Sequence, residues 1–198
     1  ANNAGVMFGT FAKTVDGFER TFQVNHLAPF LLTHLLHDKL VSSKATVVNT
    51  SSMTAKMWGQ LDLNDLNNEN NYDEKRAYGT AKLCNILFTK ELDRRYRSVG
   101  INAVAFHPGV VSTNFASDPT SAFHKVYHSD GKPTLPMITP DAGADQLIWI
   151  AEGAAGTDWQ LGEYYDLRKP GATHEEANNA DLAVKLWEQS TKLLGIEI

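Results

Sequence analysis

A tyrosine and a lysine four residues apart, Tyr78 and Lys82 in the stretch AYGTAK, carry the strongest chemical signal in the sequence. On a helix that spacing puts both side chains on one face, within reach of each other. An ammonium held beside a phenol favours the phenolate and draws a group with a reference pKa of about 10 toward the working range. Such a pair is a candidate general acid or base. Alone, Y-x-x-x-K arises easily by chance, so its weight depends on what else reaches the same place.

Two strand-and-turn segments do. The run ATVVNTSS (45–52) is short and β-branched, and ends in small polar residues; INAVAFHPG (101–109) is a second buried-type strand. Residues 75–98 read as a strong helix with Leu83, Ile86, Leu87 and Leu92 as an apolar stripe. Arg94, Arg95 and Arg97 form a solvated last turn, and Gly100 ends the helix. Residues 16–40 read as a long amphipathic helix with Asp16 as N-cap, Glu19 completing a capping-box spacing, and Pro29 expected to kink it or rearrange its hydrogen bonds. Residues 53–74 read as a polar connection, and a Pro/Ser/His-rich loop runs to about 139. A helix with Pro at its start, the short strand GEYYDL, and a helix over 178–194 follow.

Strands alternating with helices, each strand continuously apolar, predict an α/β fold: a Rossmann-type, doubly wound parallel sheet in a single domain spanning 1–198. In such sheets ligands lie beyond the carboxyl ends of the strands. Asn3-Ala4-Gly5, Thr50-Ser51-Ser52 and His107-Pro108-Gly109 fall there, and the helix bearing Tyr78 and Lys82 points its first turns at the same rim.

Other chemistries fit less well. The segment from Asp65 scans like a calcium loop, but Asn70 replaces the turn glycine and Arg76 the twelfth-position Glu. The pairs His34/His37 and His124/His128 lack a carboxylate or Cys partner, so no metal is expected. NTSSM is not a nucleophile elbow. The loop from Phe115 to Ile138, with Phe123, His124, Tyr127 and His128, reads as a lid over an apolar substrate. With net charge −5 and no long basic run, nucleic acid is not an expected partner. Cys84 is the only cysteine, which fits a reducing compartment. No apolar run approaches the ~20 residues of a transmembrane helix, so a soluble, cytoplasmic protein is expected.

The segments NNAG (2–5), VNHLAPF (24–30), VVNTSS (47–52), YGTAK (78–82) and HPGVVSTNF (107–115) occur in an order and spacing that resembles the short-chain dehydrogenase/reductase family. The stretch between Ser52 and Tyr78 is most similar to the retinol-dehydrogenase and WW-domain-oxidoreductase branch. The resemblance covers nearly the whole chain. It implies an oxidoreductase interconverting alcohol and carbonyl on a hydrophobic small molecule, with NADP or NAD as cofactor and NADP slightly favoured. Tyr78 would be the general acid/base, Lys82 would lower its pKa and bind the nicotinamide ribose, and Ser52 would bond the reacting oxygen. Asn25 would hold a water linking Lys82 to solvent, or merely satisfy backbone near Pro29. Pro108, Gly109 and Val111 would lie along the nicotinamide, with Thr113 on its carboxamide. Asn3 and Gly5 would border the adenosine side, unless Asn3 chiefly ties strands together. The helices 16–40 and 75–98 would serve a homodimer.

The family's T-G-x-x-x-G-x-G phosphate turn has no counterpart in residues 1–198. The chain is therefore expected to correspond to the carboxyl-terminal two-thirds of such an enzyme, with the strand leading into Asn2 unpaired and dinucleotide binding poor. The competing expectation is a non-catalytic interaction domain or an inert fragment.

Overall fold

The computed structural model describes residues 1–128 and 135–196. Its sheet has the order β1 (Thr46–Thr50), β2 (Asn102–His107), β3 (Tyr164–Asp166), β4 (Lys169–Pro170); the first three strands run parallel, and β4 pairs antiparallel with β3. Successive residues of the central strands face opposite ways, and both faces are covered. Val47, Ala103 and Ala105 look toward α5 (Glu74–Tyr96) and α8 (Ala180–Leu194), while Val48, Val104 and Phe106 pack with Ile150 of α7 (Pro140–Glu152) and Trp159. Burial on both faces is why these strands lack polar alternation. The doubly wound α/β expectation holds.

The residues that differ from expectation do so for local reasons. Residues 16–40 are not one helix. The chain forms α1 (Arg20–Phe22), a π-turn (Gln23–Leu27), α2 (Ala28–Leu35) and α3 (His37–Ser42). Pro29 has no N–H for the carbonyl of Asn25 and its ring crowds that carbonyl; the chain takes in one extra residue, with Ala28 N–H donating to Gln23 O. The N-cap is Glu19 rather than Asp16: its buried carboxylate accepts from Thr21 N (2.7 Å) and Phe22 N (2.8 Å), whereas Asp16 bonds Gln23 Nε2.

The predicted polar connection contains a short helix, α4 (Thr54–Trp58), and the predicted long loop contains α6 (Ala122–His128). Residues 129–134 of the expected lid lie outside the described residues. Helix α5 has the predicted span, but it is buried nearly all round instead of along one stripe, because α4, α8 and the sheet enclose it. It is thus covered by its own chain and does not offer the broad dimer face expected of it. Its basic end is not merely solvated. Arg94 and Arg95 pair with the buried Glu91 carboxylate at 2.6 Å, Arg97 pairs with Asp93, and Arg95 lies over the Trp187 ring. Against the expectation that the strand leading into Asn2 is unpaired, Asn2 itself pairs in parallel with β1: Asn2 N donates to Val48 O (2.8 Å) and Thr50 N to Asn2 O (3.0 Å). Among the described residues no helix is long and apolar enough to cross a membrane.

Candidate active site

The carboxyl ends of β1 and β2 open into a cleft of about 740 Å³. Tyr78 and Lys82 come to it from the first turns of α5, which Asp73 caps by accepting from Arg76 N. Ser52 comes from the turn after β1, its Oγ accepting from Thr54 N at 3.2 Å. Three bonds stitch the end of β1 to α5: Ser51 Oγ to Lys82 O (2.8 Å), Lys82 Nζ to Thr50 O (3.1 Å) and Asn85 Nδ2 to Thr50 O (3.2 Å). Gly79 lets α4 press on α5, since a Cβ there would stand 2.8 Å from Thr54 O.

The electrostatics differ from the simple expectation of a lysine that acidifies a phenol. Tyr78 is only 8% exposed, and burial pushes its phenol up; the Tyr127 phenol adds to the rise, and hydrogen bonding with Ser52 opposes it. Lys82 is itself brought down from 10.5 to about 8 by burial. Its ammonium lies over the tyrosine ring, 5.5 Å from the centroid, and is directed at Thr50 O. With both groups buried, loss of hydration outweighs their mutual attraction. Near neutral pH the site therefore holds a neutral phenol and a protonated ammonium.

Asn3, Gly5, Pro108, Gly109, Val111 and Thr113 all line the same cleft as Ser52, Tyr78 and Lys82. Asn3 also accepts from Thr50 Oγ1 at 3.0 Å, so it ties segments together as well as facing the cleft. Thr113 turns its Oγ1 back to accept from Phe115 N. Asn25 stands apart, behind Gly5. Its Nδ2 donates to Val6 O and Thr21 O, both at 2.7 Å, and its Oδ1 accepts from Val6 N at 3.2 Å. Both of its amide hydrogens are thus already spoken for by backbone.

Aromatic side chains from the 115–138 segment reach the site, joined by Trp58, which sequence reasoning passed over. Phe115 lies 5.2 Å from both the Tyr78 and Tyr127 rings, and Trp58 packs edge-on to Phe123, so aromatic side chains cover the tyrosine. Only the aromatic content of the 115–138 loop hinted at this. His107 is buried against the cleft with its pKa lowered by burial, and its Nδ1 has no partner among the described residues. His124 Nδ1 and His128 Nε2 donate to the carbonyls of Ala116 and Phe115, which ties α6 back to the segment that carries Phe115.

The cleft fits the reactive end of a nicotinamide nucleotide. Lys82 has three N–H donors and gives one to Thr50 O, leaving two for ribose hydroxyls. Gly109, at φ +93°, and Gly5 are points of close approach in the cleft wall: a Cβ would meet Ile138 Cδ1 at 2.8 Å at the first, and Asn25 Oδ1 at 2.7 Å at the second.

A parallel sheet covered on both faces, with Ser52, Tyr78 and Lys82 gathered at its carboxyl edge, defines the class of Rossmann-type α/β proteins. The family model for short chain dehydrogenase matches residues 1–122, and the chain belongs to that family. It is 38% identical over 206 residues to retinol dehydrogenase 13 of Homo sapiens, covering 99% of this chain and 60% of that protein. The crystal structure of an uncharacterized protein from Mycobacterium Paratuberculosis superposes with a TM-score of 0.75 at 33% identity, covering 99% of this chain and 66% of that one. The fold is also that of the NADPH-bound carbonyl reductase from chicken fatty liver (TM-score 0.60, 20% identity, 87% of this chain and 64% of that one).

Proposed function

We propose that the chain carries the proton-transfer centre of an NAD(P)(H)-dependent oxidoreductase, with NADP(H) preferred, that interconverts an alcohol and a carbonyl on a hydrophobic small molecule. The observation that carries this reading is the convergence of Ser52, Tyr78 and Lys82, from a strand end and a helix, on one cleft. Apolar lining by Met57, Trp58, Phe115, Phe123 and Leu147 supports a hydrophobic substrate, as does the likeness to retinol dehydrogenase 13.

The nicotinamide, when bound, supplies or accepts the hydride. The chain's own residues manage the oxygen and its proton. Ser52 Oγ–H donates to the substrate oxygen and fixes its position. Tyr78, kept neutral by burial, gives its phenolic proton to that oxygen as negative charge builds there. The Lys82 ammonium then steadies the phenolate left behind and holds the ribose. Pro108, Gly109, Val111 and Thr113 set the nicotinamide face, Asn3 and Gly5 border the nucleotide, and Asn25 holds the segment at Gly5 and Val6. A neutral phenol is a proton donor, which favours the reductive direction near neutral pH. The homodimer belongs to the same proposal, and its support is the exposed leucine patch formed by Leu32 and Leu35 on α2 and Leu36 just after it; sedimentation of a Leu35→Glu variant tests it.

Tyr78→Phe removes only the transferable proton. It is expected to lower NAD(P)H-dependent reduction of an apolar aldehyde by about 10²-fold or more, without loss of nucleotide binding. Unchanged turnover would defeat the reading.

A further inference from the structure

His26 takes no part in the chemistry above, yet it is wholly buried beside Asn25. Its ring sits among Phe22, Phe30 and Phe88, with centroids 5.4, 5.9 and 6.2 Å away. Nε2 lies 2.9 Å from Ser190 Oγ, a fully buried hydroxyl of α8. Nδ1 has no partner of good geometry among the described residues, although Asn85 comes near enough to favour a proton on the ring. Asn85 Oδ1 is likewise buried and unpartnered. A neutral ring with its proton on Nδ1, toward Asn85, leaves Nε2 to accept from Ser190. One buried polar contact thus joins the last helix to the π-turn.

The π-turn is the place where such a contact has leverage. A π-turn is a single inserted residue, and its loss would rotate the preceding residues by about 100° around the helix axis. That rotation would carry Asn25 away from Val6, which it grips through both N–H and carbonyl. Gly5, immediately before Val6, runs against both Asn25 Oδ1 and Lys82 Nζ, since a Cβ there would meet them at 2.7 and 3.0 Å.

We propose that His26 is a positioning residue: bonded to Ser190, it locks the π-turn, so that α8 holds Asn25, the Gly5–Val6 segment and Lys82 in register. The functional part of this rests on the reading of Tyr78 and Lys82 as the proton-transfer pair; the structural part does not.

Backbone amide exchange at Val6 tests the lock without turnover, because the Val6 N–H is held by Asn25 Oδ1. In the complete protein, Ser190→Ala is expected to speed Val6 exchange about tenfold while Leu87, in the middle of α5, keeps its rate. Turnover should fall about fivefold with KM unchanged. Should Ser190→Ala not fold, His26→Gln takes its place with the same expectations. Val6 exchange that stays at the wild-type rate, or that rises only in step with Leu87, overturns the proposal. Tyr78→Phe, assayed beside it, keeps the two readings distinct: unchanged turnover there sinks the oxidoreductase reading, while Val6 exchange still decides the lock.

Discussion

Replacing Lys82 by methionine should make the protein more stable and inactive at once. The ammonium is 3% exposed, and burial takes its pKa from 10.5 to about 8. That fall corresponds to about 3 kcal/mol of destabilisation carried by the charged form near neutral pH. The Nζ bond to Thr50 O is worth about 1 kcal/mol or somewhat more. Its loss strands nothing, because Asn85 Nδ2 also donates to Thr50 O. Methionine has nearly the same length and no charge. Lys82→Met is therefore expected to raise the unfolding free energy at about pH 7 by about 1–2 kcal/mol, a rise in Tm of about 2–8 °C for a chain of this size. The pH dependence supplies a second signature. The folded-state pKa lies below the unfolded one, so between about pH 8 and pH 10.5 the unfolded chain holds a proton that the folded chain lacks, and wild-type stability rises with pH there. The variant should lack that rise. Urea titrations of both proteins at about pH 7 and about pH 9.5 measure each effect. A destabilised Lys82→Met, or one with the wild-type alkaline rise, would refute the claim that Lys82 is a buried charge held at a cost.

Gly5→Ala should cost turnover about tenfold or more, since its Cβ would stand 2.7 Å from an Asn25 oxygen that cannot swing aside while its amide is bonded to Val6 and Thr21. Initial rates of the variant check this, and wild-type rates would contradict it. On the acid side, burial holds His26 neutral with a pKa of about 4. Between about pH 6.5 and pH 4 the unfolded chain binds a proton that the folded one refuses, so this stability is fully present above that window and falls on acidification. From about pH 7.5 to pH 5.5 the loss amounts to about 1.3 kcal/mol. His107, also lowered by burial, acts with the same sign. Denaturant titrations should therefore show the wild-type drop exceeding that of His26→Gln by about 1 kcal/mol, and equal drops would count against it.

The sheet and its order of elements were legible because both-face burial leaves continuous apolar strands, and Thr46–Thr50 and Asn102–His107 carry that mark plainly. The convergence of Ser52, Tyr78 and Lys82 was legible because strand ends and helix starts share a rim. What spacing could not give was the balance of hydration against attraction. Residue types put an ammonium beside a phenol, but only burial shows that the phenol is pushed up and the ammonium down. The helix breaks near Asn25 were half-legible. Pro29 announced a disturbance, but whether it would become a kink or a π-turn depends on what the turn packs against, here Phe88 and Ser190, residues far along the chain. Helix α6 was hidden in a run of Ser, Pro and His because its pattern is set by contacts of Phe123 and Tyr127 with Trp58 and Phe115 rather than by local propensity.

The bonds that build the site are the bonds that join β1 to α5. Thr50 O, the last carbonyl of the strand, accepts from both Lys82 and Asn85, and Ser51 returns a bond to Lys82 O. Strand end and helix cannot slide without breaking all three, so the spacing of Ser52 from Tyr78 follows from the packing of the core instead of from a flexible loop. That arrangement explains how a buried lysine can persist at all. Its destabilisation falls on a junction already secured by Asn85 and Ser51, whose neutral bonds persist whichever protonation state Lys82 adopts. Tyr78, one helical turn before the lysine, takes its place from the same junction.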